Sequence, residues 1–114
     1  MPKITIGETD VYTFTPQYRG CHGIETYLFG VKDDEAFPIT FDMGDDQIKP
    51  LIVQSSRCHY RLDKEELIIT GAYGAGQDEI DVYHFNYDSD QHRMLLQSTE
   101  QIMLNSLPCL YDNE

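Results

Sequence analysis

The sequence predicts a mainly β, antiparallel meander that forms a small barrel or sandwich as a single domain over residues 1–114. Three observations carry this. Apolar and polar residues alternate with period two in several segments, while helical periodicity is nearly absent. Turn-forming clusters punctuate the chain at short intervals. One hairpin, built on Arg57–Leu62 and Glu65–Gly71, can be registered so that charge meets charge and hydrocarbon meets hydrocarbon.

In chain order the pattern predicts strands near 3–6, 10–15, 25–32, 36–43, 48–54, 57–62, 65–71, 79–87 and 91–97. The stretch Ala36–Met43 points Phe37, Ile39, Phe41 and Met43 to one face. Pro38, having no amide proton, marks an edge or a bulge there. In the hairpin, Asp63-Lys64 serves as a two-residue turn. Arg61 then pairs with Glu66, Tyr60 with Leu67, and Cys58 with Ile69. The segment around Ile80–Tyr87 is apolar on both phases over part of its length, as expected of a central strand. The breakers are Pro16–Gly23, Asp33-Asp34-Glu35, Gly44-Asp45-Asp46, Ser55-Ser56, Gly71–Asp78 and Asp88-Ser89-Asp90. At the tail, Ser98-Thr99-Glu100-Gln101 has capping-box spacing before Ile102, Met103 and Leu104. It predicts a short helix at 99–106, with a final strand as the competing reading.

A chain of 114 residues with 40% apolar side chains, eight Tyr and five Phe is rich enough to bury one core. Disordered acidic chains are poor in aromatics. Met1-Pro2-Lys3-Ile4 enters strand-like sequence directly, and the aliphatic runs Leu51–Val53 and Leu67–Ile69 are far too short for a membrane span. The expectation is a cytoplasmic protein, and the odd, scattered Cys21, Cys58 and Cys109 fit reduced thiols rather than a disulfide framework. Acid dominates: 20 Asp plus Glu against 8 Lys plus Arg give a formal charge of -12. Such a field repels nucleic acid and anionic lipid and attracts basic proteins.

No motif demands one chemistry. Cys21-His22 and Cys58-His59 offer zinc-ligand types without finger spacing, and strand neighbours point to opposite faces, so no metal is expected. Gly71-Ala72-Tyr73-Gly74-Ala75-Gly76 looks like a phosphate cradle, but Asp78, Glu79 and Asp81 follow it; a hairpin loop is the better account. Arg57, His59 and Arg61 make a basic row that offsets neighbouring carboxylates. Asp42, Asp45 and Asp46 lack EF-hand spacing, and Ser55-Ser56 lacks a nucleophile elbow. The sequence therefore predicts no catalytic residues, no cofactor and no enzyme. In a meander, alternate turns share an end, which gathers Asp45, Asp46, Asp63, Asp88 and Asp90 as a partner-binding surface. Tyr73, Tyr18 and Tyr87 are its aromatic candidates.

A small, motif-poor, strongly acidic domain with many Tyr resembles the immunity proteins of bacterial toxin systems, including those of contact-dependent growth inhibition. The resemblance implies a partner, a cognate and basic toxin, typically a nuclease and by family analogy an RNase. The immunity protein would cover or flank the toxin's active site, with carboxylates standing in for phosphates. The contrasting reading is a small β-barrel, possibly an enzyme, that binds a small-molecule ligand in a cavity lined by Tyr60, Phe41 and Phe85. Oligomeric state is left open by the sequence.

Overall fold

The structure, a computed structural model, describes residues 3–18, 23–55, 60–72 and 78–103, without the side chains of 16–18. Ten strands run β1 (Lys3–Ile6), β2 (Thr9–Tyr18), β3 (Ile24–Lys32), β4 (Glu35–Asp42), β5 (Ile48–Lys49), β6 (Ile52–Gln54), β7 (Arg61–Asp63), β8 (Glu66–Thr70), β9 (Glu79–Asp88) and β10 (Arg93–Met103). They form one mixed sheet that curls into a nearly closed barrel, in the order β1-β2-β3-β4-β10-β9-β8-β7. The mainly β class is as the alternation predicts. Among the described residues no helix is long and apolar enough to cross a membrane.

The topology is two antiparallel meanders, β1–β4 and β7–β10, joined by a parallel pair. Arg93, Met94 and Leu95 of β10 lie in register with Thr40, Phe41 and Asp42 of β4. This departs from a simple meander, and its cause is burial: Phe41 and Met94 sit side by side with no solvent exposure. Between the meanders β5 pairs with β4, and β6 pairs with β3. The expected single strand 48–54 is thus two, because Pro50 cannot donate to a ladder and interrupts the run. The backbone of Ser55 donates to Thr70 O at 2.8 Å beside a Gln54–Gly71 bridge, drawing β6 toward β8.

One core fills the interior. Val11, Leu28, Ile39, Phe41, Ile52, Leu67, Ile69, Phe85 and Met94 are buried together, with Tyr60, Leu62 and Tyr83 packed against them. The alternation in β4 holds, Phe37 and Met43 being partly buried around fully buried Ile39 and Phe41. Pro38 lies where β4 pairs β3 alone, as an edge proline must. Gly30 faces Phe37 across that pair, and a Cβ there would overlap the Phe37 ring. The same ring stacks on His92, centroids 3.7 Å apart. His92 O also accepts from Thr40 N at 3.2 Å, so the β9–β10 turn is fastened to β4.

Two sequence expectations are corrected. In the β7–β8 hairpin the pairs are Asp63 with Glu66, Leu62 with Leu67 and Arg61 with Ile68, so Arg61 does not meet Glu66. The turn is Lys64-Glu65, one residue later than expected, with Lys64 in the left-handed region at φ 60°. A two-residue change of register leaves every side chain on its original face, so alternation could not exclude it. The Cys58 pairing lies outside the described residues. At the tail, β10 continues to Met103 where a helix at 99–106 was expected. The register changes between Leu96 and Ser98, leaving Gln97 as an inserted residue. Before this bulge the even positions Met94 and Leu96 face the core. After it Ser98, Glu100 and Ile102 pair with His84, Val82 and Ile80. The strand's alternation is broken by the bulge, and the Ser-x-x-Gln spacing then mimics a cap.

Gly30→Ala is expected to displace Phe37 and cost about 1–3 kcal/mol, as overpacking does; urea unfolding measures it. Lys64→Gly is expected to stabilise the fold by about 0.5–1 kcal/mol by relieving a left-handed lysine, whereas Lys64→Ala is not.

Candidate functional site

The acidic turns owe part of their composition to backbone geometry. Asp33 and Asp34 both have positive φ, as do Asp45 and Asp46. Gln47 N donates to Gly44 O at 2.9 Å across the second pair, closing a tight turn of left-handed residues. Aspartate tolerates this region better than most residues because its short side chain bonds locally. Asp88 shows the same habit: its Oδ1 accepts from Asp90 N at 2.9 Å and from Gln91 N at 3.4 Å. Asp42 Oδ1 accepts from Gly44 N at 3.0 Å. These carboxylates shape turns before they do anything else.

Their placement differs from the meander argument. The β1–β2 turn, the β7–β8 turn and the β9–β10 turn meet at one end of the barrel. Ile6, Gly7, Glu8, Thr9, Lys32, Glu65, Tyr87 and Ser89 line a common groove there, of about 320 Å³. Asp88 and Asp90 adjoin Ser89 in the chain, and Asp63 ends β7 just before the turn that carries Glu65. Asp33 and Asp34 follow Lys32, which reaches Glu8 at 4.0 Å. Asp45 and Asp46 do not belong to this end. Because β4 runs parallel to β10, its outgoing turn points away from the turn that leads into β10. The expected five-carboxylate group is therefore split, and Glu8, Asp33 and Asp34 take the place of Asp45 and Asp46. Only the parallel pairing reveals this, and no local pattern announces it.

Tyr87, one of the aromatic candidates, is in the groove. Its hydroxyl is closed off from solvent beside Thr9, without a hydrogen bond of good geometry among the described residues. Burial raises its pKa, opposed by the Thr9 hydroxyl and reinforced by Asp88. Tyr73 and the side chain of Tyr18 lie outside the described residues, as do Cys21, His22, Arg57, Cys58, His59 and Cys109. Among the described residues no group of three or more His, Cys, Asp or Glu is arranged to hold a metal ion.

Two further places have chemistry. A groove of about 420 Å³ lies at the opposite side, lined by Met43, Lys49, Pro50, Leu51, Ile52, Val53, Ala72 and Tyr83. Burial raises the Tyr83 pKa, with Asp81 adding to it. The residues expected to line an internal cavity instead fill it: Phe41 and Phe85 are fully buried and meet edge to face at 5.4 Å, and Tyr60 Oη bonds Thr13 Oγ1 at 3.3 Å. The second place is a Glu66–His84–Glu100 row across β8, β9 and β10, missed in the sequence because its members are far apart in the chain.

Tyr87→Phe is expected to leave stability within about 0.5 kcal/mol of wild type or raise it, since the deleted hydroxyl has no good partner to lose. Thermal and denaturant unfolding of the isolated protein would expose an error as a clear destabilisation. Compared with family models, with curated proteins and with solved structures, this chain finds no match.

Proposed function

We propose that this protein is an immunity protein of the bacterial cytoplasm, which neutralises a cognate basic toxin by protein–protein contact. The observation that carries this is the groove at one barrel end, lined by Glu8, Glu65 and Tyr87, with Asp63, Asp88 and Asp90 on the turns that adjoin it. Lysine or arginine side chains of a nuclease, an RNase by analogy, match such a surface in charge and hydrogen bonding. The carboxylates accept hydrogen bonds from them and replace the phosphates such a toxin binds. No catalytic residue of this chain is needed for that role. Rim carboxylates act mainly on association rate and its salt dependence, whereas one buried against a partner cation contributes more.

The 420 Å³ groove beside Tyr83 favours a second reading, a binder of a small ligand, and moves that ligand from the barrel centre to its flank. A metabolite that raises the melting temperature of the isolated protein supports this second reading.

The test is binding to the product of the neighbouring gene at low and high salt. The variant Asp63→Asn, Asp88→Asn, Asp90→Asn is expected to associate about tenfold more slowly at low salt, with a weaker salt dependence. Asn keeps an oxygen for the Asp88 turn bonds. A second variant, Asp45→Asn with Asp46→Asn, is expected to behave nearly as wild type. Equal binding by all three proteins would place the interface elsewhere, and a neighbour that is no toxin would end the immunity reading.

A further inference from the structure

We propose that His84 is a pH-operated tie that fastens β8 to β10 across β9 and lets go of one strand when it loses its proton. The geometry is specific. His84 Nδ1 lies 3.0 Å from Glu66 Oε1, and His84 Nε2 lies 2.7 Å from Glu100 Oε1. Carboxylates only accept hydrogen bonds, so both contacts are made together only by an imidazolium, which donates from both nitrogens. A neutral ring has one N–H, and its other nitrogen then turns a lone pair toward a carboxylate.

The fold builds this row deliberately. His84 pairs directly with Ile68 on one side and with Ser98 on the other. Glu66 and Glu100 reach it from diagonal positions. The second arm exists because of the bulge: the inserted Gln97 turns the even residues of β10 outward, placing Glu100 on the face that carries His84. The His84 side chain is 16% exposed, beside buried Ile68 and Val82, while Glu66 and Glu100 are 36% and 57% exposed. Among the described residues the charged groups that face His84 are Glu66 from β8 and Glu100 from β10. On β9 itself its neighbours on that face are Val82 and Asn86. The hydrogen bond to Glu66, then that to Glu100, raises the His84 pKa above 6.5, and partial burial opposes them only in part.

The sign follows from linkage. A folded-state pKa above the unfolded value means that the tie stabilises fully below pH 6.5 and that its contribution disappears as pH rises through the folded value. At high pH the β7–β8 hairpin loses this side-chain link to β10 and keeps its backbone ladder to β9, its Thr70 contact with β6 and its core packing.

The test is imidazole ¹⁵N NMR on the full chain across pH, beside melting temperature over the same range. In the wild type, His84 is expected to keep both nitrogens protonated past pH 6.5. Glu66→Gln and Glu100→Gln are each expected to move its midpoint down, and His84→Gln to remove the loss of melting temperature in that window. The exposed Glu100→Gln leaves the core untouched, so that arm stands even where another variant folds poorly. A His84 midpoint at or below 6.5 in the wild type, or one that neither glutamine variant moves, overturns the tie.

Discussion

The parallel pairing of β4 with β10 is the constraint on which the rest of the structure depends. Each meander alone is an open four-stranded sheet with one apolar face, which water would reach. Joining them through Thr40–Asp42 and Arg93–Leu95 brings Phe41 and Met94 together at the point of least exposure, and the two apolar faces then close on each other. Parallel pairs are rarely exposed, because their slanted ladder is supported by burial on its side-chain faces. The stack of His92 on Phe37, with Gly30 against the same ring, is the second fastening of the same joint. Polar residues mark the interior's margins. Thr13 meets Tyr60 on one side, and Gln54 Nε2 donates to Thr26 Oγ1 at 2.7 Å on another, while Gln54 Oε1 is buried with no hydrogen-bond partner among the described residues.

Alternation makes the faces of strands legible, and legibility stops where a change of register preserves those faces. Residues Phe37 to Met43 could be assigned inside or outside from sequence because each has a strong preference. The β7–β8 hairpin could not be fixed, since Asp63-Lys64 and Lys64-Glu65 turns give the same apolar face and differ only in which charges lie opposite. An Arg61–Glu66 pair in water adds about 0–1 kcal/mol. That is too little to override the packing of Leu62 on Leu67. The tail was illegible for a different reason. A bulge inserts one residue into a period-two pattern, so that Met94 and Leu96 face the core while Ile102, of the same parity, lies on the other face.

The candidate site was legible in its chemistry and not in its assembly. Acidic turns stand out in the sequence, and so does Tyr87. Which turns share an end is a property of topology, and a single parallel strand pair moves Asp45 and Asp46 out of the group. The same carboxylates carry two roles at once. Their local bonds and left-handed backbone make the turns short, while their unneutralised charge gives the barrel end its field. A protein with a charge of -12 is opposed in folding by its own repulsion, so acid that also serves a turn is acid retained at less cost.

The Glu66–His84–Glu100 row brings these arguments to one place. Its members are separated by 18 and 16 positions, and three strands must be in register before they meet. Two antiparallel ladders supply the neighbours, and the Gln97 insertion supplies the orientation. Without the insertion, a regular continuation of the Met94–Leu96 alternation would turn Glu100 toward the interior, where an unpaired carboxylate is costly. With it, the same glutamate meets the His84 imidazole, which can donate a hydrogen bond to it. The bulge thus resolves a conflict between a polar sequence and an apolar face, and in doing so it creates a titratable contact that neither strand contains alone.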